Sequence, residues 1–214
     1  MKFSEYPYSR PDYNEVSSSL KKRLDELEKC DNAGDFWAKY QEIQKIKNHV
    51  TTMATLCEIR HSINTQDEFY DKENDYWNEY TPLYRSYDVR LSQILLNYPE
   101  REKLYQYIPE VLFKLADYQK RSFSDEIIPL LQQENKLISE YGKLKATAKI
   151  ELDGKTYNLS TITPLMESTS EEERIRANKA QLEFWSRNED ALDDIYDRMV
   201  KVRTEMGRKM GYAD

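Results

Sequence analysis

Two long runs of apolar side chains at helical spacing leave this sequence little choice but a helical fold. In the first, Phe36, Tyr40, Ile43, Ile46, Val50, Met53 and Cys57 recur three or four residues apart. Trp37, Leu56, Ile59 and Ile63 add a second stripe. The spacing predicts one helix from Asp35 to Ile63, and two apolar faces predict that it lies centrally, touching more than one neighbour. In the second run, Phe69, Tyr76, Tyr80, Leu83, Tyr87, Leu91, Ile94 and Tyr98 share a face, with Tyr70, Trp77 and Tyr84 beside it. Thr65 with Glu68 is a capping-box pattern that would start this helix. About 30 helical residues span roughly 45 Å, the dimension of a wall or paddle. Pro82 falls inside the run and predicts a kink or a break, because its ring clashes with the preceding turn and it lacks a backbone donor. The polar joint between the runs, Arg60–Asn74, holds one of the two histidines.

The remaining chain arranges itself around these two helices. Residues 1–11 carry Tyr6, Pro7, Tyr8 and Pro11 and predict an extended arm whose rings pack on a later surface. Asp12 caps a first helix near 13–29, with Val16, Leu20, Leu24 and Leu27 inward and Asp31–Gly34 as its stop. Pro99 and Pro109 each open a short helix, and Ser124 caps a long one to about Ala146. Ile150, Leu152, Tyr157 and Leu159 flank Asp153-Gly154, which predicts a β-hairpin at about 148–159. Ser160 is read as the cap of a short helix to about Glu167, and Ser170 with Glu173 caps a helix to about Ser186. A final stripe from Leu192 to Met210 ends at Gly211. The expected organisation is one lobe over 1–214: an arm at 1–11, a helical region at 12–146, a hairpin at 147–159 and C-terminal helices at 160–211. The fold class is all-α with a single β-hairpin, its long antiparallel helices forming a wall.

Composition agrees. Charged residues are 33% and hydrophobic residues 39%, with five Gly and seven Pro. That is the balance of amphipathic helices. Seventeen Tyr and three Trp supply the apolar area a packed core needs. A net charge of −7 opposes general attraction to nucleic acid or anionic membrane. The first residues show no apolar signal region, and no apolar run is long enough to span a bilayer, so the sequence predicts a soluble, cytoplasmic protein. Cys30 and Cys57 are far apart, form no CxxC and read as reduced thiols on apolar faces.

Catalytic motifs are incomplete. A zinc peptidase helix needs two His at i and i+4 with a Glu as base. His49 and His61 are separated by about 18 Å of helix rise and cannot share a metal. No GxSxG, P-loop or GxGxxG occurs, and nothing singles out a Ser-His-Asp triad. Glu189, Asp190, Asp193, Asp194 and Asp197 crowd a helix start, where carboxylates are favoured by the helix dipole. The sequence assigns no catalytic and no metal-binding residue. The Tyr and Trp stripe of the third helix reads as core, with some rings reaching a solvated cleft.

The Arg60–Asn74 joint lies in MATLCEIRHSINTQDEFYDKENDYW, residues 53–77. This stretch resembles the N-terminal region of the oligoendopeptidase F and Pz-peptidase group of thimet-type zinc metallopeptidases. MKFSEYPYSRPD at 1–12, residues 123–164 and DDIYDRMVKVRTEMGRKMGY at 193–212 resemble the same proteins in the same order. The resemblance implies a cytoplasmic, mostly helical endopeptidase that cleaves short peptides in a deep channel. It also implies one zinc ion held by a His-Glu-x-x-His helix and a further Glu, all in a C-terminal half. The sequence ends at Asp214, before any such motif. The expectation is therefore an N-terminal lobe that forms one wall of the channel and is inactive alone, its partners being short peptides and the C-terminal catalytic half. Self-association through the surface that this half would cover is also expected. Arg60, His61, Asn64 and Tyr70 are the candidates for the channel wall or the contact between lobes; equally, they tie two helix ends together. The alternative function is a non-enzymatic helical module that binds peptides or partner proteins.

Overall fold

The structure is a computed structural model that describes residues 2–213; Met1 and Asp214 lie outside the described residues. Helix follows helix: α1 (Tyr13–Glu28), α2 (Ala33–Ile63), α3 (Glu68–Asn97), α4 (Arg101–Leu104), α5 (Glu110–Arg121) and α6 (Ile128–Ala146). Strands β1 (Ile150–Leu152) and β2 (Lys155–Tyr157) come next, then α7 (Thr163–Met166), α8 (Glu171–Arg187) and α9 (Glu189–Lys209). Short 3-10 turns stand at Phe3–Glu5 and Asp125–Ile127. The all-α architecture with one hairpin is the one the periodicity predicts.

The chain forms two compact units. The first takes the chain up to Gln132 together with Arg208–Ala213, and the second takes Gln133–Gly207.

In the first unit, α1, α2 and α3 pack on one another and α5 packs on α3. Leu20, Leu24 and Leu27 of α1 meet Phe36, Ile43, Val50, Met53 and Cys57 of α2. The α3 side of this core is Trp77, Tyr84, Tyr87, Leu91, Ile94 and Leu95. Burying each such side chain is worth about 1.5–3 kcal/mol over leaving it exposed. The aromatic stripe of α3 is thus mostly core. The second stripe expected on α2 is only partly so: Leu56 is buried, but Ile59 is 38% and Ile63 74% exposed.

Several boundaries differ from the sequence expectation for local reasons. Asn32 does not close α1; its carboxamide accepts from the amides of Gly34 and Asp35 and opens α2. Asp67, not Thr65, caps α3, accepting from the amides of Phe69 and Tyr70. Helix α3 runs unbroken through Pro82, whose ring is buried. Interior proline costs a helix about 3 kcal/mol, and burial along both flanks of α3 outweighs that. Nearby, the Gln132 carboxamide donates to the Glu79 carbonyl at 2.8 Å, in the turn the proline disturbs. Asp12, Ser124 and Ser170 cap as predicted, each accepting a backbone amide.

The second unit has a smaller core of Ala148, Ile150, Ile162, Ala177 and Phe184. Strands β1 and β2 pair antiparallel with Ile150 opposite Tyr157 and Leu152 opposite Lys155. Asp153 (φ 52°) and Gly154 (φ 74°) form the turn, both left-handed. Two consecutive positive φ values are what a two-residue hairpin requires. Asn158, rather than Ser160, organises the start of α7: its side chain accepts from the amides of Ser160 and Thr161. Gly211 takes φ 86° past the end of α9, the expected helix stop. No helix among the described residues is long and apolar enough to cross a membrane.

Candidate functional site

The corner between α2 and α3 brings polar and aromatic side chains together, and the N-terminal arm lies in it. All four residues singled out from the sequence are there, each bonded within the chain. Arg60, in the last turn of α2, donates from Nη1 to the Tyr70 hydroxyl at 2.7 Å. Its Nη2 donates to the Tyr6 carbonyl of the arm at 2.6 Å. The guanidinium also lies 5.6 Å from the centre of the Tyr70 ring. His61 is buried, and its Nε2 stands 3.1 Å from Asp71 Oδ1. Asn64 is the C-cap residue of α2; its amide donates to the Arg60 carbonyl, and its side-chain oxygen accepts from the Gln66 amide. Tyr70 accepts from Arg60 and lies edge-on to Tyr8 at 5.7 Å between ring centres.

Sequence reading missed the centre of this cluster, Glu73. This carboxylate is only 7% exposed. A buried carboxylate needs donors, since unpaired burial is costly. Two arrive from the arm: the Tyr8 hydroxyl donates to Glu73 Oε2 at 2.5 Å, and Arg10 Nη1 stands 3.4 Å from Oε1. Trp77 Nε1 in turn donates to the Tyr8 oxygen at 3.0 Å. Glu73 lies four residues before Trp77 and three after Tyr70, so one face of α3 presents all three. That spacing was legible; an acidic residue inside an aromatic stripe is the signal that would have flagged it. The phenol of Tyr8 is pushed well above its ordinary range, first by burial and then by the bond to Glu73. The Cys57 thiol is pushed up to about 12, mainly by burial and then by the nearby Glu73 carboxylate. Both hold their protons at neutral pH, so neither is a nucleophile or base there.

The arrangement ties the N-terminal arm to the α2–α3 corner through hydrogen bonds and ring contacts. Among the described residues no group of three His, Cys, Asp or Glu side chains comes together as a metal site. Arg198, beside the acidic start of α9, pairs with Glu140 and Asp194, and Lys201 pairs with Asp197. Asp194 and Asp197 of that acidic run are thus ion-paired within the chain. A cavity of about 230 Å³ lined by Leu27, Phe36, Ile94 and Tyr98 lies elsewhere in the first unit. Its one cation, Arg90, is already held by Asp25 and Glu28 at 2.6 and 3.0 Å.

Comparison with known proteins gives this geometry its context. The family model for the peptidase M3 N-terminal domain matches residues 3–123. The chain belongs to that family. No curated protein matches it. A solved structure of Pz peptidase A with an inhibitor is 37% identical and superposes with a TM-score of 0.95 over 99% of this chain. An oligoendopeptidase F from Bacillus anthracis is 36% identical, with a TM-score of 0.96 over the whole chain. Another oligoendopeptidase F is 38% identical, again with a TM-score of 0.96. The chain spans 38–39% of the length of these proteins. Its fold is that of the N-terminal lobe of a thimet-type peptidase.

Proposed function

We propose that this chain is the N-terminal, channel-forming part of a cytoplasmic zinc metalloendopeptidase that hydrolyses short peptides. The observation that carries the reading is the match, from end to end at 36–38% identity, to structures of Pz peptidase A and oligoendopeptidase F. In this reading the catalytic zinc and its water belong to residues outside this chain. The metal would polarise the scissile carbonyl and activate water. The chain's own part is steric: α2 and α3, each about 45 Å long, form a stiff wall that limits what reaches the metal. Arg60, His61, Asn64 and Tyr70 stand at the corner of that wall. Of the four, Asn64 is the exposed one, and its substitution tests the wall role most directly.

The reading further includes self-association of the isolated chain. Val111, Leu115 and Tyr118 of α5 lie one turn apart on one face and are 57%, 53% and 60% exposed.

The test uses a quenched fluorescent peptide. The 214-residue chain with added zinc is expected to show no cleavage, and a protein that also carries the catalytic half is expected to cleave in a chelator-sensitive way. Zinc-dependent cleavage by the 214-residue chain alone would overturn the division of labour. In the larger protein, Asn64→Ala is expected to change KM for long peptides more than for short ones. Equal effects on both would remove Asn64 from the wall.

A further inference from the structure

The arm, residues 2–12, is bound like a peptide ligand. Among the contacts that hold it, its backbone is gripped by side chains of the body rather than by a strand ladder. Arg60 donates to the Tyr6 carbonyl, Tyr76 donates to the Pro11 carbonyl at 3.1 Å, and the Ser9 amide points at Met53 Sδ at 3.4 Å. Its side chains fill two adjoining subsites. The phenol of Tyr8 enters a socket of Phe69, Tyr70, Glu73 and Trp77, with ring centres at 6.0 and 5.7 Å from the first two. The guanidinium of Arg10 lies over the Tyr76 ring at 4.6 Å and beside Glu73. One buried carboxylate therefore reads both side chains, through an O–H donor and a cation two residues apart. Alternate residues of an extended segment point the same way, so Tyr-x-Arg is the spacing that one carboxylate can reach.

Buried polar groups of this kind make a site selective, because a ligand lacking the donor leaves the carboxylate unpaired. The specificity elements all sit on α3 and the end of α2, while the ligand runs through Pro11 and Asp12 into a different helix, α1. Asp12 is the N-cap of α1, and residues 6–11 lie outside any helix. Extended-peptide recognition uses the same division between backbone grip and side-chain pockets.

We propose that the α2–α3 corner is a docking site for an extended Tyr-x-Arg peptide segment, and that residues 6–11 occupy it as an intramolecular ligand. The site shares Arg60 and Tyr70 with the peptidase reading but does not rest on it: a docked arm fills the corner whether or not the chain serves a catalytic half. When the arm detaches, the corner accepts the same chemistry from another chain.

The test uses the complete chain carrying Tyr8→Ala and Arg10→Ala, which removes the arm's two side-chain anchors and leaves the corner intact. A fluorescent peptide with the sequence of residues 2–11 is the probe, followed by anisotropy. The expected result is saturable binding to the double variant, at least tenfold weaker binding to the wild-type chain, and recovery of the variant's melting temperature as peptide is added. Peptides with Tyr8→Phe or Arg10→Ala should each bind about tenfold more weakly, and Glu73→Gln in the double variant should remove the preference for Arg. A folded double variant that gives no saturable binding overturns the proposal. So does binding of the Tyr8→Phe and Arg10→Ala peptides as tight as that of the unsubstituted peptide. Should the double variant not fold, Tyr8→Phe in the complete chain keeps the ring in its socket and weakens the arm's hold. That variant should then bind the wild-type peptide more tightly than the wild-type chain does; equal affinity overturns the proposal.

Discussion

The two units spend polar residues in opposite ways. The first buries them: Glu73, Asn74, His61, Ser17 and Ser92 are each less than 10% exposed inside or beside a large aromatic and aliphatic core. Among the described residues the second buries no polar side chain to that degree, and its pairs Arg176 with Asp153 and Lys201 with Asp197 are exposed. Its hairpin cluster has five buried residues, and Leu137, Ile195 and Val202 are buried elsewhere in the unit. A buried carboxylate demands one arrangement of its donors, since the alternative is a stranded charge. Exposed ion pairs tolerate many arrangements and contribute about 0–1 kcal/mol each. The first unit is thus built for a defined surface at the α2–α3 corner. The second depends on a few apolar contacts around its hairpin.

Core truncations should break this comparison most visibly. Phe36 is fully buried against Tyr98, their ring centres 4.8 Å apart. Phe36→Ala should cost about 3–5 kcal/mol, read by urea unfolding with α1–α3 amide exchange. A loss under 1 kcal/mol would mean that the large core collapses freely around the void. Ile162 is equally buried in the small core, and Ile162→Ala should cost about 2–4 kcal/mol. Its signature should be early exchange in β1, β2 and α8; unchanged protection there would show that the hairpin does not rely on this core.

A smaller effect sharpens the polar contrast. Asp67→Ala removes the acceptor for two amides at the start of α3 and should cost about 1 kcal/mol. Arg203→Ala, at a pair in the second unit whose arginine is exposed and whose Glu134 is half-buried, should cost about 1 kcal/mol and less in 1 M salt. A larger, salt-independent loss for Arg203→Ala would place it among the structural ion pairs.

The mildest test is pH. Burial raises the Cys57 thiol from about 9 to about 12. The folded chain keeps that proton while the unfolded chain releases it, so the contribution is intact below about pH 9 and is lost as pH rises towards 12. Cys57→Ser should flatten part of that alkaline decline in a melting-temperature profile, and Cys57 should resist alkylation at pH 8 in the native chain. Rapid native alkylation would contradict the burial.

Much of this molecule was legible from residue spacing. Apolar stripes set the helices, Asp12, Ser124 and Ser170 marked their starts, and Asp153-Gly154 placed the hairpin, because each is a local backbone requirement. Pro82 misled for the reciprocal reason: its local penalty is real, yet α3 is held by contacts distant in sequence. The exposed Ile63 and Phe69 show the same limit. Periodicity says which side of a helix is apolar, but only the packing of other elements decides whether that side is covered. The candidate site divides likewise. Sequence pointed to Arg60, His61, Asn64 and Tyr70 as a polar joint, since polar residues between apolar runs stand out. Glu73 stayed hidden, because its partners Tyr8 and Arg10 are more than 60 residues away in the chain. The sequence by itself determined where the helices form. Tertiary structure alone decided that the arm is the ligand of their corner, because a buried charge is read only by what folding brings to it.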